Sequence, residues 1–166
     1  MRCFGKSKIG ILMLLPFMAA CTTEAGSGAG GFQKNAYNYS EWAKGLFSEV
    51  VTVSHPGRIL FFGGVGAEDA TATTGGKILH LGDFMGQCLY AWEKIKRALD
   101  KQGASLADVD KATTYLTDIR NLRDSIKCRS QVFGSTPQPA GTLVMVSQLA
   151  WPGMLYEVDI TAVTAK

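Results

Sequence analysis

"GASLADVDKATTYLTDIRNL", residues 103–122, is the stretch whose reading decides the fold. Gly103 is a natural stop for a preceding helix. Ser105 can cap the short turn SLAD, 105–108. The next residues, VDKATTYLTD (109–118), are rich in β-branched side chains and suit a strand. A new helix is expected from Ile119. This passage therefore places one strand between two helices, and the rest of the chain is read outward from it.

Upstream, the spacing predicts a helix over Asp83–Gln102. Asp83 can cap it, and Met85, Cys88, Trp92, Ile95 and Leu99 recur at i+3 and i+4 to form one apolar stripe. Downstream, a second helix is expected over Ile119–Phe133, with Gly134 as its stop. Two strands follow, TLVMVSQL (142–149) and MLYEVDITAV (154–163), joined by AWPG. Near the start of the domain, SEVVTV (48–53) and RILFFGG (58–64) flank the turn signal SHPG and read as a hairpin. GAEDATATTGGK (66–77) reads as a polar loop. The order is β-β-α-β-α-β-β, an α+β domain whose two helices cover one sheet face. The opposite face is expected to close against another copy of the chain.

The chain has 166 residues, 46% of them hydrophobic, with 19 glycines, which suits one domain with a real core. Phosphate-binding, nucleophile-elbow and zinc-helix motifs are absent. The pI near 8.7 misleads. Residues 1–20 hold Arg2, Lys6 and Lys8, three of the 17 basic residues, and none of the 14 acidic ones. The remainder is close to neutral and offers no basic stripe for nucleic acid. Lys94, Lys96, Arg97 and Lys101 read as a solvated helix face.

The first 20 residues read as a targeting segment. A cationic start precedes the apolar run IGILMLLPFM (9–18), too short to span a bilayer and fitting a secretory signal peptide. Met18-Ala19-Ala20-Cys21 then resembles a bacterial lipobox. That resemblance implies cleavage before Cys21, its lipidation, and membrane attachment through an N-terminal lipid anchor. The expected location is the cell envelope, on the periplasmic face of the outer membrane. Residues 21–39 are read as the lipidated cysteine and a flexible tether, because TTEAGSGAGGFQK (22–34) cannot bury a core. Residues 40–166 are read as the folded domain. Of the four cysteines, Cys3 belongs to the leader and Cys21 would carry lipid. Cys88 and Cys128 could bridge if their helices pack side by side; the plainer reading is a buried free thiol at Cys88.

The passage over 103–122 and the phrase PQPAGTLVMVSQLAWPGMLYEVDITAV together resemble the RidA family, also called YjgF/YER057c/UK114. The resemblance covers about residues 40–166, and FFGGVGAED takes the place of the family's Ser-Gly second strand. It implies a chorismate-mutase-like fold, a homotrimer with a central barrel, and pockets between subunits. It also implies a chemistry without a cofactor: hydrolysis of enamines and imines such as 2-iminobutanoate and 2-iminopropanoate, with an arginine gripping the carboxylate and a glutamate working with water.

That arginine follows a Pro-Ala pair, and here Pro139-Ala140 is followed by Gly141. The family's aromatic hydroxyl is replaced by Phe47 and its serine by Gly63, beside a retained Gly64. Leu143 stands where a cysteine is frequent. Glu157 keeps its place. The expected site is a roomy, weakly polar pocket lined by Phe47, Gly63, Gly64, Gly141 and Leu143, without its anion receptor. No arginine is near Gly141 in sequence; Arg58, Arg120, Arg123 or Arg129 could substitute only from elsewhere in the fold or trimer.

Each residue also has a plainer reading. Read plainly, Glu157 is an interface residue, Gly141 a close backbone approach, Trp151 a turn-packing aromatic, and Asp159 an ordinary charge on the face that Glu157 shares. His55 and His80 lack the spacing of a metal site. Three functions follow: a small-molecule binder at a trimer interface without the family's deaminase activity, a deaminase or related hydrolase using Glu157 and water, or a structural envelope lipoprotein. Envelope export and Gly141 both count against the family's usual cytoplasmic role. The near-neutral domain counts against ribonuclease activity.

Overall fold

The computed structural model describes residues 30–166. The leader, Cys21 and the first part of the expected tether, through residue 29, lie outside them. The helices arise where their apolar spacing requires. Helix α1 runs Phe84–Lys101, capped by the Asp83 side chain, which accepts from the Gly86 amide at 3.0 Å. It ends at Gly103, where φ is +66°. Helix α2 runs Leu122–Phe133 after a single 3-10 turn over Ile119–Asn121.

The strands differ more from expectation. Strand β1, Gln33–Tyr37, lies inside the stretch read as tether and pairs antiparallel with β2, Val50–Ser54. Strands β2 and β3 (Ile59–Phe61) therefore form no hairpin. β3 pairs instead with the last strand β6, Tyr156–Val163, and the SHPG turn carries the chain from one sheet to the other. Gly57 and Arg58 bond to Thr164, so the turn is committed to the C-terminal strand. Strand β4, Val109–Leu116, lies between β6 and β5, Ala140–Met145. The order of this four-stranded sheet is β3-β6-β4-β5, with β4 and β5 parallel across α2. The fold is a mixed α+β domain with both helices on one sheet face.

The core follows from strict alternation. Ala112, Thr114 and Leu116 of β4, with Tyr156, Val158 and Ile160 of β6, are buried toward the helices. They meet Cys88, Trp92, Ile95 and Leu99 of α1 and Cys128, Val132 and Phe133 of α2. Trp92 Nε1 donates to the Tyr156 hydroxyl at 2.8 Å, so the largest buried side chain leaves no polar atom unpaired. Cys88 and Cys128 are not free thiols: they form a disulfide between α1 and α2, with Cα atoms 6.4 Å apart. The apolar stripe of α1 that suggested a buried thiol packs on both the sheet and α2, and Cys88 is where it meets α2. The opposite sheet face stays uncovered in the protomer, and Phe61 on β3 is 80% exposed there.

Candidate functional site

A pocket with a volume of about 230 Å³ lies under β5, against α2. Its construction starts at Ser48. The Ser48 amide donates to the Pro139 carbonyl at 3.0 Å, the Gly141 amide donates to the Ser48 carbonyl at 3.3 Å, and Ser48 Oγ donates to Gln138 O at 2.6 Å. These bonds stitch the segment before β2 onto the start of β5 and bring Phe47 over Gly141. A 3-10 turn at Glu41–Ala43 carries Trp42, whose ring meets that of Phe47 edge-on at 5.5 Å. Helix α2 supplies the other wall through Leu122, Ser125, Ile126 and Arg129, a set spaced i, i+3, i+4 and i+7 on one face. Strand β5 supplies Gly141 and Leu143, which pair in register with the helix-facing Ala112 and Thr114 of β4.

Gly141 is where these parts converge. A Cβ built on it would lie 2.9 Å from Phe47 Cβ and 3.1 Å from Arg129 Nη1. The space a side chain at 141 would fill is taken by an aromatic ring stem and a guanidinium. The mostly apolar pocket therefore carries one guanidinium, that of Arg129, brought to Gly141 from α2. Arg129 is partly buried, and desolvation pushes its pKa down from the usual arginine value. Its Nη2 donates to the Leu46 carbonyl. Among the described residues no carboxylate forms an ion pair with it.

The other expected site residues lie elsewhere in the protomer. Glu157 pairs with Tyr115 across β6 and β4, on the sheet face opposite Gly141. Gly64 is against it, and a Cβ there would overlap the Glu157 carboxylate. Burial raises the Glu157 pKa, and the charges of Glu68 and Asp159 raise it further. Asp159, on the same face, accepts from the Tyr115 hydroxyl at 2.8 Å. Gly63 lines a third place, an open groove between β3 and the end of α1. The six residues thus fall into three groups: Phe47, Gly141 and Leu143; Gly64 and Glu157; and Gly63 alone. Trp151 packs on Gly75 and Gly76 as a turn-packing aromatic. Among the described residues no group of three or more His, Cys, Asp or Glu side chains is placed to hold a metal ion.

A family model described as Endoribonuclease L-PSP (Ribonuc_L-PSP) matches residues 40–164. The chain belongs to this family. Solved structures of Rid proteins agree. The Rid protein YyfB of Yersinia pestis superposes with a TM-score of 0.69 at 25% identity, covering 79% of this chain and 98% of that one. A YjgF/YER057c/UK114 family member of Mycobacterium tuberculosis matches at TM-score 0.53 and 26% identity, covering 80% and 100%. A RutC family protein of Pyrococcus abyssi is 40% identical over 68 residues, 41% of this chain. The chain spans about half the length of that curated relative, 53%.

Proposed function

We propose that this Rid-family domain binds a small molecule in the pocket under β5, and that it does so without the 2-iminobutanoate and 2-iminopropanoate deamination implied by its resemblance to RidA. The observation that carries this reading is the pocket itself. It is walled by Phe47, Leu143 and the apolar side chains of α2, and Gly141 keeps an arginine from arising at the position where RidA-like sequences have one. Ligand pockets are typically concave, mostly apolar and equipped with few polar groups. A homotrimer belongs to the reading, supported by the uncovered sheet face and its exposed Phe61. Lipidation at Cys21, which lies outside the described residues, would hold the trimer in the cell envelope, and the Cys88–Cys128 disulfide suits such an oxidising compartment. The family description names an endoribonuclease, but a near-neutral domain has no charge footprint for RNA.

A second reading has one observation in its favour. Glu157 is half-buried with a raised pKa, the condition a general acid or base requires. It supports an imine deaminase or related hydrolase in which Glu157 handles a proton of water. The experiment is imine hydrolysis by the purified protein, with imines generated from amino acids by an oxidase, beside a thermal-shift screen of small metabolites. No hydrolysis with a stabilising metabolite supports the binder. Turnover that disappears in Glu157→Gln supports the hydrolase and overturns the first reading.

A further inference from the structure

We propose that Arg129 is the specificity-determining residue of this pocket, and that its guanidinium, delivered from α2 into the space Gly141 leaves open, selects small aliphatic carboxylates over their neutral and cationic isosteres. The inference rests on the small-molecule reading above and names the ligand class of that site.

Three observations carry it. The first is position. Arg129 Nη1 stands 3.1 Å from where a Cβ of residue 141 would be, so the guanidinium lines the pocket beside Gly141. The second is an incomplete set of partners. A guanidinium has five N–H donors in a planar fork, and the Leu46 carbonyl is the one protein acceptor for it among the described residues. A cation removed from water without a counter-charge is unfavourable unless an anion meets it. The nearby Tyr156 hydroxyl cannot serve, because burial holds its pKa up at about 12 and keeps it neutral. Asp110 cannot serve either, since it is committed to Lys34 at 2.9 Å. The third is the character of the remaining wall. Phe47, Leu143 and Ile126 present apolar surface, so a ligand that satisfies the fork must carry an aliphatic body. A carboxylate can accept two parallel N–H bonds from one guanidinium, which a primary amide or an ammonium cannot match.

The test uses the full-length protein and three probes of one shape: butanoate, butanamide and butylamine, measured by titration calorimetry. Wild type is expected to bind butanoate at least about tenfold more tightly than butanamide, and butylamine not at all. In Arg129→Gln that preference is expected to vanish, with butanoate and butanamide bound about equally. Arg129→Lys, which keeps charge but loses the fork, should retain part of the preference and guards against a glutamine variant that fails to fold. Equal affinity of wild type for butanoate and butanamide overturns the role of Arg129 and leaves the small-molecule reading standing. Failure of all three probes, together with a metabolite screen without shifts, overturns both.

Discussion

Placing an arginine at residue 141 tests how the pocket is filled. If Gly141 were only a deleted clamp, Gly141→Arg would slot into vacant space. The structure predicts a conflict instead, since the first atom of the new side chain would meet Phe47 Cβ at 2.9 Å and Arg129 Nη1 at 3.1 Å. Overpacking of this kind costs about 1–3 kcal/mol. Two guanidinium groups about 4 Å apart at an effective dielectric constant of about 20 repel by roughly 4 kcal/mol, a ceiling because the longer side chain can swing outward. A loss of about 2–4 kcal/mol is expected for Gly141→Arg alone. Arg129→Ala removes the competing charge, so the double variant should regain about 1–3 kcal/mol relative to the sum of the single effects. Urea unfolding of the four proteins, followed by tryptophan fluorescence, reads this coupling directly. Additivity within about 0.5 kcal/mol would refute the claim that Arg129 occupies the place of a side chain at 141.

Three further outcomes are expected. The Cys88–Cys128 bond closes a separation of 40 residues, so the Cys88→Ser/Cys128→Ser variant should lose about 4 kcal/mol of stability in urea, and unchanged stability would count against the bond. Because the Glu157 pKa is raised in the folded state, its contribution to stability is fully present below about pH 4.3, the ordinary glutamate value, and is lost as pH rises through the folded pKa. Glu157→Gln should flatten that decline in a pH series of urea midpoints, and identical slopes would refute the shift. Phe61→Asp puts a charge on the uncovered sheet face and should dissociate the proposed trimer in analytical ultracentrifugation, whereas a sedimentation coefficient equal to that of wild type would show that this face is not the contact.

The helices and β4 were legible because their signals are local. Asp83 and Gly103 bracket α1 within a residue or two, and its 3.6-residue stripe became the buried face. Pairing partners were not legible. SHPG has the composition of a hairpin turn, but β2 joins β1 and β3 joins β6, because long-range backbone pairing outweighs turn propensity. Strand β1 was hidden in a glycine-rich approach, with only the QKNAY segment to mark it and no clean alternation. Most of the pocket lining escaped for a related reason. Arg129 was one of four arginines without a geometric reason to prefer it, although its spacing with Leu122, Ser125 and Ile126 marks one helix face.

The sequence by itself determined the family resemblance, the α+β class, the two helices and the strand between them, the glycine at 141 and the retained glutamate at 157. These are consequences of residue identity and of periodicity over a few turns, which act at short range. Only the tertiary structure decided that β3 and β4 flank β6, that Cys88 and Cys128 are joined, that Glu157 and Gly141 lie on opposite faces of one sheet, and that a guanidinium from α2 stands beside Gly141. The reason is geometric: each depends on how elements tens of residues apart pack, and the crossover through α2 carries residue 129 back under the strand that begins at 140.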